Sequence, residues 1–250
     1  MSKIDLNIVW DDAKAMGSAN RDLLTAIAGM FLLLPGIVAE QFIVMPQALA
    51  KGASNEQMLT RLADYATANW PVLLSHSIVT SFGVLALQSL LLRAERLTVG
   101  ESLRAALFIL PGYIVANILQ GFGIMAGMML FFLPGFYLVG RLALLAPVAA
   151  AEREGNPIAQ LRRSVELTRG NGWRVFGVLA IIFVVMMIIS LVITSLTGAV
   201  AELALPQDIA NFAMSIVSSL LETALTLVVV LVTAAVYRSA TAPAVTVWQP

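Results

Sequence analysis

The sequence predicts an all-α integral membrane protein, a bundle of six transmembrane helices with both termini in the cytoplasm. Three observations lead there. Hydrophobic residues make up 59% of the 250-residue chain and charged residues only 12%, about half the charge of an ordinary soluble domain. The apolar residues fall in long runs instead of amphipathic stripes, which favours bilayer spans over a soluble core. Lysine and arginine gather in alternate connections, as the positive-inside rule requires.

The spans are read at residues 23–45, 71–92, 105–123, 127–149, 175–197 and 212–236, within a single membrane domain covering 1–250. Each approaches the ~20 residues that cross a hydrocarbon core at 1.5 Å per residue. The opening MSKIDLNIVWDDAKAMGSANRD is too polar for a signal-peptide core. Ile4, Ile8, Val9, Trp10, Ala13 and Met16 share one helical face, predicting a juxtamembrane helix with Trp10 at headgroup level. Between spans one and two, Met58, Leu59, Leu62 and Tyr65 follow a Ser54/Asn55 cap at helical spacing, predicting a short amphipathic helix. No charged residue separates spans three and four, so Gly121, Gly123 and Gly127 are the expected turn. The tail after Arg238, with Pro243 and Pro250, is expected to fray.

Orientation follows from the basic residues. Lys3, Lys14, Arg21, Arg93, Arg96, Arg104, Arg153, Arg162, Arg163, Arg169, Arg174 and Arg238 all fall on the side of the termini. The other side holds Lys51 and Arg61, and Arg141 lies within a span. A six-span count obeys the positive-inside rule throughout, whereas five spans would split the basic loops across both faces.

A short repeat marks the interior. Phe31–Gly36, Phe108–Gly112 and Phe131–Gly135 each carry an aromatic residue, a leucine and then Pro-Gly. Proline removes a backbone donor and crowds the preceding turn, so Pro-Gly kinks are expected in these helices. They serve either helix packing or a broken-helix site of the transporter kind.

Ionisable residues within spans are the sharper signal, because charge in the bilayer interior is costly. Glu40 and His76 lie roughly 8 Å from the outer ends of their spans, with Asn117 at similar depth, and Arg141 and Glu222 lie about 21 and 18 Å deep. An outer polar cluster of Glu40, His76 and Asn117 and an inner Arg141–Glu222 ion pair are therefore expected, the inner pair fixing helix packing unless it serves a substrate or proton path or a lipid headgroup.

The connection between spans four and five is the most basic. Asn156 followed by Pro157 begins a helix over 156–169, and Gly170 ends it. Ile158, Leu161, Val165 and Leu167/Thr168 form its apolar side, and Arg162, Arg163 and Arg169 its basic side. With Arg174, these arginines are the candidate contacts for anionic lipid headgroups on the cytoplasmic face, unless they only enforce topology.

The runs LPGFYLVGRLALLAPV and QLRRSVELTRGNGWRVF carry a resemblance. They are similar to the membrane domain of the glycerophosphoryl diester phosphodiesterase type and to a related bacterial inner-membrane family. The similarity is strong over Phe131–Phe176 and weak over the rest, including Trp10, Arg21/Asp22 and Leu103–Arg104. It implies a six-helix bundle in a bacterial cytoplasmic membrane. In the diesterases a catalytic barrel follows this domain and carries the metal ligands and acid–base histidines. The single histidine here, His76, cannot supply that pair, so no catalytic residue carries over.

Other chemistry is poorly supplied. The chain has no cysteine, which removes disulfides, thiol nucleophiles and thiolate metal sites. It has no Gly-rich phosphate loop, no HExxH and no nucleophile elbow. Nucleic acid is not an expected partner, because the basic helix is short and membrane-tethered. The expectation is a non-enzymatic inner-membrane protein without cofactor or metal, acting in envelope or lipid organisation or as an accessory to a membrane or enzyme partner. The alternative is a transporter or channel for a small solute or lipid, using Glu40, Arg141 and Glu222.

Overall fold

A computed structural model describes residues 4–46, 54–93 and 97–241. Lys3, Lys51, Arg96 and the tail with Pro243 and Pro250 lie outside the described residues. Ten α-helices and one π-helical turn account for nearly all of the rest. They are α1 (Leu6–Ala19), α2 (Arg21–Ala28), the π turn (Gly29–Leu33), α3 (Leu34–Phe42), α4 (Asn55–Leu92) and α5 (Val99–Leu130). The series continues with α6 (Phe132–Leu142), α7 (Leu145–Glu152), α8 (Pro157–Leu167), α9 (Gly172–Ala204) and α10 (Gln207–Thr241).

Six segments are long and apolar enough to cross a membrane: Arg21–Phe42, Asn55–Leu92, Val99–Leu130, Phe132–Glu152, Gly172–Ala204 and Gln207–Thr241. Each packs on the next in sequence, and α10 returns to α3, closing a ring. Residues 143–144 divide the fourth span, and its second half, α7, turns inward against α4.

Capping chemistry sets several helix starts. Ser54 and Gln57 form a reciprocal capping box, as do Thr98 and Glu101. The Asn156 side chain accepts from the Ile158 and Ala159 amides, with Pro157 at the first helical position. The short helix expected after Ser54 does not stop, however. It continues through Pro71 into span two as one 38-residue helix, about 57 Å long. Buried Asn69, two residues before that proline, pins it. Its amide donates to Val44 O and Tyr65 O, both at 2.9 Å, and its Oδ1 accepts from Val44 N at 2.7 Å. The extended end of span one is thereby tied to α4.

The turn between spans three and four falls at Phe131, not at the glycines. Helix α5 runs unbroken past Pro111, Gly121, Gly123 and Gly127 to Leu130, and Phe131 takes an extended conformation. Gly127 serves close packing instead: a Cβ there would stand 3.0 Å from Gly135 Cα across the hairpin. Glycine has the same use elsewhere. A Cβ on Gly112 would collide with Gly155 O, one on Gly140 with Gly172 O, and one on Gly83 would lie 2.7 Å from Phe31 Cβ. Of the Pro-Gly pairs, Pro35 is the second residue of α3 after the π turn, Pro111 lies inside α5, and Pro134 sits in the first turn of α6.

Burial is uneven. One apolar cluster joins Leu24, Ile27 and Leu32 to Leu85, Leu87, Ala106, Ile109, Leu145 and Ala149. A second joins Val9, Ala13 and Met16 of α1 to Leu144, Val148, Val175 and the 232–236 stretch of α10. Both lie in the half of the bundle next to α7 and α8. Within α1, Ile8 and Trp10 are exposed while Val9, Ala13 and Met16 are buried, so the helix packs on α10 by only part of its expected face.

Glycine substitutions test the packing. Gly112→Val should cost ~1–3 kcal/mol through overpacking, read as a lower midpoint of unfolding. Gly177→Ala, whose added Cβ meets nothing within 4 Å, should be neutral or stabilise by up to ~1 kcal/mol.

Candidate functional site

The polar chemistry of the bundle concentrates where α8 meets the broken fourth span. A break inside a transmembrane segment strands backbone groups that a hydrocarbon environment cannot satisfy. Here Ser164 Oγ donates to Arg141 O at 3.0 Å and accepts from Leu144 N at 3.2 Å. Thr168 Oγ1 lies 3.0 Å from the same Arg141 carbonyl and shares its proton with Ser164 O at 2.8 Å. Gln160, one turn earlier, donates to Glu154 O at 2.6 Å. Gln160, Ser164 and Thr168 are fully buried.

This rotates α8 from its expected orientation: Leu167 and Thr168 are buried and the basic side faces out, both as expected, but the polar Gln160 and Ser164 also turn inward. The side turned into the bundle is Gln160, Ser164, Leu167 and Thr168, while Ile158 is exposed and Leu161 and Val165 are only partly covered. The physical reason is the break itself: unpaired peptide groups recruit small hydroxyl side chains more strongly than the remaining apolar ones recruit surface. The signal lay in the sequence as polar residues at i, i+4 and i+8.

The candidate lipid-contacting arginines divide. Arg163 Nε bonds both Glu152 oxygens, at 2.8 and 3.1 Å, and Tyr237 Oη donates to Glu152 Oε1 at 3.1 Å. These bonds tie α7, α8 and α10 together and hold the Arg163 guanidinium above its ordinary pKa. Arg162 pairs with Glu166 at 3.1 Å on the exposed face. Arg174 Nη1 donates to Ile4 O at 3.2 Å, while Asn171 Oδ1 accepts from Ile4 N at 3.2 Å, so the start of the described chain is clipped to the head of α9. Arg169 is exposed and makes no ion pair among the described residues.

The expected intramembrane sets assemble differently. Arg141 does not meet Glu222. Its guanidinium lies 5.7 Å from the centre of the Tyr137 ring, on the side of Gly172 and Trp173. Glu222 lies instead near enough to Glu40 for the two charges to interact. Around them, Gln41 Nε2 donates to Ser215 Oγ at 2.9 Å. His76 Nε2 lies 3.4 Å from Thr80 Oγ1 and faces Gly36, which also abuts Ser219. Asn117 does not join this group, because α5 packs on α4, α6, α7 and α8 and not on α3 or α10. Spacing along single helices placed these residues at depths but could not say which helix faces which.

Sequence reasoning missed two further joints. Buried Gln88 donates to Val230 O at 3.1 Å and Thr233 Oγ1 at 3.0 Å, locking α4 to α10. The Tyr237–Glu152 bond was equally hidden. A glutamine inside a long apolar helix was the only available sign of the first.

Among the described residues, clefts open on the bundle at these places. One of about 390 Å³ lies between α3 and α4, lined by Pro35, Phe42, Pro71, Ser75 and His76 among others. One of about 460 Å³ lies between α9 and α10. Another, of about 490 Å³, lies between α1, α9 and α10 beside Trp10. These are lined mainly by apolar side chains. No group of three or more His, Cys, Asp or Glu residues suited to a metal occurs among the described residues.

Removing the hydroxyl of Ser164 should expose the cost of the broken span. Ser164→Ala leaves Leu144 N unpaired and should lose ~1–3 kcal/mol. Thr168→Ala should lose less, and the double variant should depart from additivity because both hydroxyls serve Arg141 O. Denaturant titration of the three variants measures this.

The chain matches no curated protein and no solved structure. A family model does match it: residues 106–246 fit the membrane domain of glycerophosphoryl diester phosphodiesterase. That region, more than half of the chain, covers the α5–α6 hairpin, the broken fourth span, α8 and the last two spans. This multi-pass membrane protein belongs to the family of the glycerophosphoryl diester phosphodiesterase membrane domain.

Proposed function

We propose that the protein is a non-enzymatic module of a bacterial cytoplasmic membrane, with both termini in the cytoplasm, that organises lipid or serves as the membrane accessory of a partner protein. One observation carries this reading. The polar side chains that bridge helices inside the bundle act as structural joints: Ser164 and Thr168 serve the broken span, Gln88 holds α10 and Asn69 the end of span one, while the buried Ser89 and Ser219 hydroxyls have no partner among the described residues. A solute path needs polar groups free to line a cavity, and the clefts here are apolar. Apolar clefts on a membrane bundle suit acyl chains. The Pro-Gly pairs serve this packing rather than gating.

A second reading has its own support. Glu40 and Glu222 bear on one another from α3 and α10, close to His76, and intramembrane carboxylates mark proton and ion paths in transporters. The two readings separate in proteoliposomes. The module reading expects no proton flux above that of empty vesicles. A flux abolished by Glu40→Gln or Glu222→Gln would replace it with transport.

Orientation is tested with single cysteines, since the chain has none of its own. In intact cells a membrane-impermeant maleimide should label Ser54→Cys and Gln207→Cys. Gly100→Cys and Arg169→Cys should label only after permeabilisation. The reverse pattern would invert the topology.

A further inference from the structure

Arg141 carries its charge within span four, yet it takes part in none of the ion pairs among the described residues. Its side chain is nonetheless held in place. Its Cγ and Cδ pass over Gly172, 3.2 and 2.8 Å from where a Cβ would stand, and Tyr137 Cε2 lies 3.0 Å from the same point. The missing side chain at residue 172 is thus a cradle that lays the arginine stem beside the Tyr137 ring. Gly140, against Gly172 O, brings α6 and α9 close enough for this.

The cradle opens onto an aromatic platform. Tyr137 and Trp173 lie 5.6 Å apart, Trp173 and Phe176 5.9 Å, and Phe136 and Phe176 5.1 Å. Phe136, Tyr137 and Trp173 are exposed on the outside of the bundle. The surrounding charge is positive. Arg169 follows Thr168, whose hydroxyl reaches the Arg141 carbonyl, and Arg174 follows Trp173. The nearest carboxylate in sequence to Arg141, Glu152, already pairs with Arg163, and Glu166 pairs with Arg162 and Arg163.

An arginine with free fork donors, set among exposed aromatics at the end of a membrane helix, needs an anion, and the bilayer supplies one. We propose that Arg141 binds the phosphate of an anionic glycerophospholipid from the leaflet on the α8 side, with the lipid's upper acyl chains lying over Tyr137, Trp173 and Phe176. The local excess of arginine selects an anionic over a zwitterionic headgroup. This inference deepens the lipid-organising reading and rests on it.

The test is native mass spectrometry of the full chain released from membranes of mixed phosphatidylglycerol and phosphatidylcholine. Wild type should retain phosphatidylglycerol preferentially. Arg141→Gln should retain at least fivefold less, while Arg104→Gln, an exposed arginine on the same side, should match wild type. Undiminished retention by Arg141→Gln overturns the site. Equal losses in both variants also overturn it, while leaving a diffuse basic lipid surface and the broader reading intact. Loss of any anionic preference in wild type overturns both.

Should Arg141→Gln fail to fold, fluorescence decides without it. In a chain whose other tryptophans are replaced by phenylalanine, Trp173 should be quenched more by brominated phosphatidylglycerol than by the same fraction of brominated phosphatidylcholine. Equal quenching overturns the site.

Discussion

The fourth span stops and restarts at residues 143–144, and the rest of the architecture on the α8 side of the bundle answers that interruption. Two peptide groups lose their helical partners there, Arg141 O and Leu144 N. In water they would cost little; in a bilayer they must be satisfied by protein. Ser164 satisfies both, and Thr168 supports the carbonyl. For these hydroxyls to reach, α8 must turn its polar stripe inward, which draws the whole connection between spans four and five into the bundle. The basic side of α8 then faces out as a consequence.

Once α8 is seated, neighbouring elements follow. Its Arg163 meets Glu152 at the end of α7 and, through that carboxylate, Tyr237 of α10. The turn after α8 positions Asn171 and Arg174 to hold Ile4, which starts α1 along α10. Gly172 at the head of α9 crosses Gly140 of α6. Each of these joins elements from distant parts of the chain. They lie in the same half of the molecule as both buried apolar clusters. The opposite half has apolar clefts, and α9 there exposes Ile181 to Val200 almost continuously, as a lipid-facing surface should.

The glycines and prolines show how one residue type serves opposite ends. The same absence of a side chain that favours turns also allows two helices to touch at their backbones. At Gly127 the second use prevails, and the chain turns four residues later at an aromatic. Pro111 and Pro71 stay inside continuous helices, because within a bilayer any backbone group freed by leaving the helix costs more than the proline's local crowding.

Composition and periodicity alone determined the class: six apolar segments, their approximate places, and the caps at Ser54 and Asn156. These are local or additive properties, legible because helix formation and bilayer transfer act residue by residue. Partner choice was not legible. Arg141 and Glu222 share a depth range, and their opposite charge suggested a pair. The ring of helices instead turns Arg141 toward Tyr137 and Gly172 and brings Glu222 to Glu40. The inward face of α8 was equally decided in three dimensions, since the groups it satisfies belong to a helix break 20 to 27 residues away. Depth follows from counting along one helix, but the facing of side chains depends on how each helix is rotated against its neighbours, and only the packed bundle sets that.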